Sequence, residues 1–223
     1  MRYFAVVITF FLVIFMQVSV AEELADFKEG IDYKLIVPAQ ATDDPNRIEV
    51  VEVFWYGCPH CYHLEPTLGP WVENLADDVY FYRMPAIFSK QWEVGARAYF
   101  TADILGVLDA THSALFNAIH GERKKLTSED SMARFYASQG VDKALFKKTY
   151  HSFVVNTKVS RAEDMVDRYG ISGVPAIVIE GKYLVTAGMS KSYERMVGIA
   201  NFLIAKERES KNKTLIKSKE VDG

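Results

Sequence analysis

Apolar positions crowd the start of the chain and then break into short runs whose spacing changes twice. Arg2 precedes Tyr3 to Met16, a run without formal charge, and Ser19-Val20-Ala21 follows with small residues. A basic start, an apolar stretch shorter than the roughly 20 residues that cross a bilayer, and small residues at its end predict a secretory leader at 1–21, cleaved after Ala21. Glu22 to Gly30 is polar, a loose or short helical lead-in. Tyr33-Lys34-Leu35-Ile36-Val37 alternates and predicts a strand stopped by Pro38. Turn residues fill 42–46, and Ile48 to Tyr56 follows, apolar on both faces apart from Glu49 and Glu52. That pattern predicts a buried central strand. Beyond Gly57, Tyr62 to Leu75 predicts a helix, with Pro66 and Pro70 as kinks or breaks. Val79 to Met84 is a second β-prone run, so 48–84 reads strand, helix, strand, the parallel crossover unit.

From Trp92 to Tyr169 the period becomes helical and β-runs are scarce. Gly106, Gly121 and Gly140 punctuate several short helices, and Thr127-Ser128-Glu129-Asp130 has the form of a helix start. β-character returns at Ala176-Ile177-Val178-Ile179, turns at Glu180-Gly181 and runs back through Lys182-Tyr183-Leu184-Val185. Ser192 to Ala205 predicts a closing helix, and the charge-rich 206–223 a mobile tail. The expected organisation is therefore α/β: a mixed sheet flanked by helices in two parts, 22–91 and 170–205, interrupted by an all-helical insertion at 92–169.

Charge adds an exclusion. With 26 basic and 29 acidic residues the 223-residue chain carries a formal −3, so it offers no basic field for nucleic acid. The cysteine count adds the chemistry. Both cysteines lie in Cys58-Pro59-His60-Cys61. A ring this small constrains little loop entropy when it closes, so the pair is suited to opening and closing rather than to stapling. At a strand-to-helix turn the first sulfur meets unpaired backbone N–H groups, which favour a thiolate. Cys58 is then the exposed nucleophile and Cys61, one turn on, the less exposed partner that resolves a mixed disulfide. Pro59 suits an early helical position, and His60 can add positive charge or a hydrogen bond to the Cys58 thiolate.

Other readings compete for the same residues. Cys58, His60, Cys61 and His63 suggest zinc only superficially, because a structural site usually draws a second ligand pair from a distant segment, whereas here no second Cys pair exists and the four candidates crowd one helical turn; no metal is expected. His63 reads as a surface or groove residue, and His112, His120 and His151 as ordinary helix residues. Glu52 in an apolar strand is either solvent-facing on an edge or a buried carboxylate that tunes the thiols, with Arg83 as partner. Val174-Pro175 either caps a strand or forms a cis bond beside the site.

Taken together, Val53-Phe54-Trp55-Tyr56-Gly57-Cys58-Pro59-His60-Cys61, the helical block after the second strand, and Gly173-Val174-Pro175-Ala176 resemble the DsbA-type thiol:disulfide oxidoreductases, thioredoxin-fold proteins of the bacterial periplasm. The likeness runs from about Tyr33 to Ala205, and Trp55 and Tyr56 sit where members of that family vary. It implies a thioredoxin fold with a helical insertion and a periplasmic dithiol oxidase whose only redox group is its own Cys58–Cys61 disulfide, with no other cofactor. Cys58 resembles the family's nucleophile, Cys61 its buried partner and His60 the thiolate-stabilising histidine. Val174 and Pro175 resemble the pair, joined by a cis bond, that faces the disulfide and binds extended substrate; Glu52 resembles the buried acid behind the site. The implied partners are reduced exported proteins and a quinone-linked membrane reoxidant of the DsbB type, with the protein itself a monomer. An isomerase or reductase on the same fold, or a peptide-binding chaperone, are the rival functions. Too few residues precede the catalytic strand for the N-terminal dimerisation domain of known periplasmic isomerases.

Overall fold

The computed structural model describes residues 27–221; the expected leader at 1–21 lies outside them. The sheet is built outward from β2, Ile48–Phe54, whose seven residues are all buried. Four further strands, β1 (Lys34–Leu35), β3 (Val79–Pro85), β4 (Ala176–Ile179) and β5 (Tyr183–Thr186), complete it in the order β1-β5-β4-β2-β3. β2 runs parallel to β3, with Glu52 opposite Arg83, and antiparallel to β4, with Val53 opposite Ala176. A strand paired on both edges and covered on both faces has to be apolar throughout, which accounts for its composition.

The parallel β2–β3 pair requires a crossover, supplied by α1, Pro59–Glu73. Pro66 and Pro70 lie inside this helix without ending it. Neither is buried; four residues apart, they share the solvent face, where the carbonyls they leave unpartnered meet water. Of the expected kinks or breaks, a break therefore does not occur. Five helices then form the inserted block: α2 (Lys90–Ile104), α3 (Leu108–His120), α4 (Glu129–Ser138), α5 (Lys143–Tyr150) and α6 (Phe153–Arg168). Three start on polar side chains that accept from the first turn: Ser128, in a capping box with Ser131, Asp142 and Ser152. The β4–β5 hairpin turns on Glu180 and Gly181, both at positive φ (52° and 58°). A Cβ on Gly181 would lie 2.3 Å from the Gln40 carbonyl oxygen, so only glycine fits.

Two cores flank the sheet. One joins Val51, Val53, Ala176 and Val178 to the inserted helices through Phe54, Phe116 and Tyr136. The other packs Val50, Ile177 and Ile179 against Leu64 and Leu68 of α1 and against Met196, Ile199 and Leu203 of the last helix. A short α7, Ala187–Ser190, precedes that helix, α8, which runs from Tyr193 to Val221. The expected mobile tail from 206 is thus helical to Val221. Its first turns are held: buried Glu207 accepts from the Tyr183 hydroxyl at 2.8 Å, Arg208 pairs with Asp78 at 2.5 Å and Lys211 with Glu180 at 2.7 Å. High charge reads as solvent-facing, but the charges of Glu207, Arg208 and Lys211 bind partners from distant segments. The first strand is also shorter than its alternation suggests, ending at Leu35, although the Ile36 N–H still donates to the Lys182 carbonyl at 2.7 Å.

Candidate active site

β2 ends at Phe54, and Trp55-Tyr56-Gly57 carries the chain to α1. The turn closes with the Cys58 N–H donating to the Trp55 carbonyl at 2.9 Å. Gly57 lies under the Trp55 indole, where a Cβ would fall 2.3 Å from a ring carbon. The indole is held there by stacking on Trp92 of α2, centroids 4.1 Å apart and planes 6° apart. Cys58 is the N-cap of α1 and Pro59 occupies its first turn, a place where a missing N–H costs nothing. Cys61 follows inside the helix and is fully buried.

The two sulfurs are free thiols with opposite electrostatics. The Cys58 thiol is drawn down to about 6, first by a hydrogen bond from Cys61, then by the backbone N–H groups of Cys61 and His60; the His60 charge contributes least, and burial opposes all of these. The helix N-terminus therefore acts through specific donors more than through the histidine ring. Burial pushes the Cys61 thiol far above the usual range, and the adjacent Cys58 and Glu52 charges push it the same way. Cys58 is only 7% exposed, less than a freely exposed nucleophile. The Val174 carbonyl covers it, accepting from its thiol at 3.5 Å, and Val174–Pro175 is a cis bond. The structure thus brings Cys58, Pro59, His60, Cys61, Val174 and Pro175 to one place. His60 is exposed, its Nδ1 3.3 Å from the Tyr193 hydroxyl.

Glu52 stands behind the dithiol. It is fully buried in the central strand, so the solvent-facing alternative falls. Arg83 Nε donates to one carboxylate oxygen at 2.9 Å, and the other oxygen has no partner. Burial raises the group to about 8, Arg83 opposes that rise, and the Glu65 charge adds to it. A buried acid near this value still carries a proton at neutral pH.

The polar chain goes on through residues to which the sequence pattern assigns no such part. Arg83 also meets Glu65 at 3.3 Å. Glu65 Oε1 lies 3.4 Å from His112 Nε2, and His112 Nδ1 lies 2.8 Å from the Tyr56 hydroxyl. Burial lowers His112, only partly offset by Glu65. A neutral ring donates once, so Nε2–H faces the carboxylate and Nδ1 accepts from Tyr56. His120 Nε2 donates to the Tyr56 carbonyl at 2.8 Å and its ring stacks on Tyr62. His112 and His120 are therefore not ordinary helix residues. Their signal was available: His112, Phe116 and His120 recur every four residues on the apolar stripe of α3, where a polar ring needs a partner. His63 and His151 are exposed.

Comparison with known proteins places these features in company. A family model described as "DSBA-like thioredoxin domain" matches residues 76–197. The thiol:disulfide interchange protein DsbA of Pseudomonas aeruginosa is 40% identical over 195 residues, 87% of this chain and 92% of its own. A match that long in 223 residues takes in both Cys58–Cys61 and Val174–Pro175. Among solved structures, Pseudomonas aeruginosa DsbA superposes with a TM-score of 0.81 at 41% identity, covering 84% of this chain and 97% of that one. The Xylella fastidiosa oxidoreductase DsbA gives 0.75 at 35% identity, covering 80% and 96%.

Proposed function

Because this chain belongs to the family of DsbA-like thioredoxin-domain proteins, we propose that it is a thiol:disulfide oxidoreductase in which Cys58 and Cys61 donate their disulfide to exported proteins. The observation that carries the reading is the split between the two sulfurs, Cys58 at about 6 and Cys61 far above the ordinary thiol range. A thiolate stabilised at Cys58 stabilises the reduced pair, and the disulfide becomes oxidising in proportion.

The steps balance on two electrons. A substrate thiolate attacks the Cys58 sulfur, the Cys58–Cys61 bond breaks, and Cys61 leaves with the bonding pair. Its high proton affinity demands a proton at once, and Glu52, protonated at neutral pH and electrostatically coupled to Cys61, is the acid we assign to it. A second substrate thiolate then attacks the substrate sulfur of the mixed disulfide, and Cys58 leaves as a stable thiolate. The substrate dithiol is oxidised and the protein pair reduced. In this reading Pro59 sets the first helical turn, His60 adds a minor favourable charge to the thiolate, and Val174–Pro175 receives the extended substrate across the sulfur.

The setting that suits this chemistry is the periplasm, reached through the leader at 1–21, with a DsbB-type quinone-linked membrane protein as reoxidant and the protein working as a monomer. No helix among the described residues is long and apolar enough to cross a membrane. Equilibration of the pair against glutathione, with a reduced unfolded protein as substrate, tests the function. The expected result is an oxidising potential and stoichiometric substrate oxidation abolished by Cys58→Ser. A potential in the range of a cytosolic reductant refutes it, and efficient refolding of a scrambled-disulfide substrate assigns the isomerase reading instead.

A further inference from the structure

A cleft of about 330 Å³ opens beside the dithiol turn. Its near wall is Trp55, Tyr56 and Gly57, the residues that lead directly into Cys58. Its far wall is the α3–α4 loop with Arg123, Lys124 and Lys125, and no aspartate or glutamate lines it. Lys124 is paired with Glu122 at 2.6 Å. Among the described residues neither Arg123 nor Lys125 has a carboxylate partner. The loop backbone is tied to α3, with the Lys124 N–H donating to the Ala118 carbonyl at 2.8 Å. On a chain of net charge −3 this is a local reversal of sign.

Behind Trp55 of the near wall stands an aromatic ledge. Trp92, stacked on Trp55, is met edge-on by Phe88 at 4.8 Å, and Phe88 is 43% exposed. The Val174–Pro175 loop borders a separate groove of about 230 Å³ that carries no charged residue. Cys58 adjoins both features: its chain neighbour Gly57 lines the cleft, and Val174, whose carbonyl accepts from the Cys58 thiol, lines the groove. A polypeptide joined to Cys58 therefore meets a neutral groove and a basic, aromatic-edged cleft.

We propose that this cleft selects the substrate's flanking sequence: it holds an acidic segment next to the attacked cysteine, with an apolar side chain on the Phe88–Trp92 ledge and carboxylates facing Arg123 and Lys125. The proposal rests on the oxidase reading above and names the substrate class of that site. Unpaired cations at the edge of an apolar cleft raise the encounter rate of anionic segments and disfavour cationic ones, an effect that salt screens.

The test uses the oxidised full chain and two reduced dithiol peptides of equal length, their cysteines flanked by glutamate in one and lysine in the other. Flanking charge also alters the peptides' own thiol reactivity. The readout is therefore a double ratio: the glutamate-to-lysine rate ratio for the parent protein divided by that for Arg123→Asn/Lys125→Glu, in which intrinsic reactivity cancels. Asparagine suits the left-handed backbone at residue 123 (φ 57°). The expected double ratio is about tenfold at low ionic strength, collapsing toward one in roughly 0.5 M salt. A value within about twofold of one at low salt overturns the proposal. Should the double variant not fold, the parent's glutamate-to-lysine rate ratio divided by the same ratio measured with the neutral 2-hydroxyethyl disulfide, in which intrinsic reactivity again cancels, decides: a quotient that falls several-fold as salt rises supports the proposal, and a flat one overturns it. Oxidation of both peptides without discrimination removes the selectivity alone; oxidation of neither removes the oxidase reading, and this one with it.

Discussion

Replacing Glu52 by glutamine changes one buried group and leaves its shape. The carboxyl's ordinary value is 4.5 and burial lifts it to about 8 in the folded protein. The sign follows from linkage: between these values the unfolded chain is ionised while the folded chain still holds the proton, so the folded state loses stability as pH rises. The loss begins above 4.5, proceeds at about 1.4 kcal/mol per pH unit, amounts to about 3 kcal/mol at pH 7 and levels off near roughly 5 kcal/mol once pH passes the folded value. Glutamine cannot ionise. Its amide oxygen can still accept from Arg83 Nε, and the second position already lacks a partner in the parent. The variant is therefore expected to match the parent near pH 5 and to exceed its stability progressively toward pH 8. Urea unfolding of the oxidised proteins at half-unit pH steps is the assay; with the disulfide closed, neither cysteine titrates, and the difference curve isolates Glu52. Parallel stability curves for the two proteins would show that Glu52 is ionised in the folded state, and its assignment as the acid for Cys61 would fall with them.

Thiolate absorbance of the reduced protein is expected to titrate near pH 6, with His60→Ala moving it only slightly and Cys61→Ala moving it up further, since the Cys61 hydrogen bond leads the causes and the His60 charge comes last; the reverse order would put the histidine ring in control. At pH 7 a fall from 9.0 to about 6 stabilises the reduced form by about 1.4 kcal/mol, so the potential should lie about 30 mV above that of an unperturbed pair. Tyr56→Phe leaves buried His112 Nδ1 without its donor and should cost about 1–3 kcal/mol in urea unfolding; a neutral result would break the polar chain behind the site at that link. Truncation after Ala205 removes the Glu207 carboxylate from the buried Tyr183 hydroxyl and should cost at least about 1 kcal/mol, whereas a silent truncation would restore the mobile-tail reading.

Most of the local structure could be read along the chain. β2 announced itself by an apolar run around Glu49 and Glu52, the insertion by a change of period between 92 and 169, and the hairpin by Glu180-Gly181 at its tip. Where the reading failed, a neighbour distant in sequence decided the outcome. Pro66 and Pro70 are tolerated in α1 because the second core buries Leu64 and Leu68 and leaves the prolines to solvent. The charged stretch from 206 is helical because Asp78, Glu180 and Tyr183 supply its partners.

The sequence by itself determined the chemistry available. Two cysteines separated by two residues, placed between a buried strand and a helix start, allow reversible disulfide exchange and little else. Spacing along one chain is enough for that, because both sulfurs and the helix donors belong to one continuous segment. Only the tertiary structure decided how the pair is poised. The Val174 carbonyl over Cys58, Arg83 beside Glu52, and the His112–Tyr56 link all join residues far apart in sequence. Proton affinity inside a protein depends on burial and on charges across space, and neither quantity exists until the chain has folded.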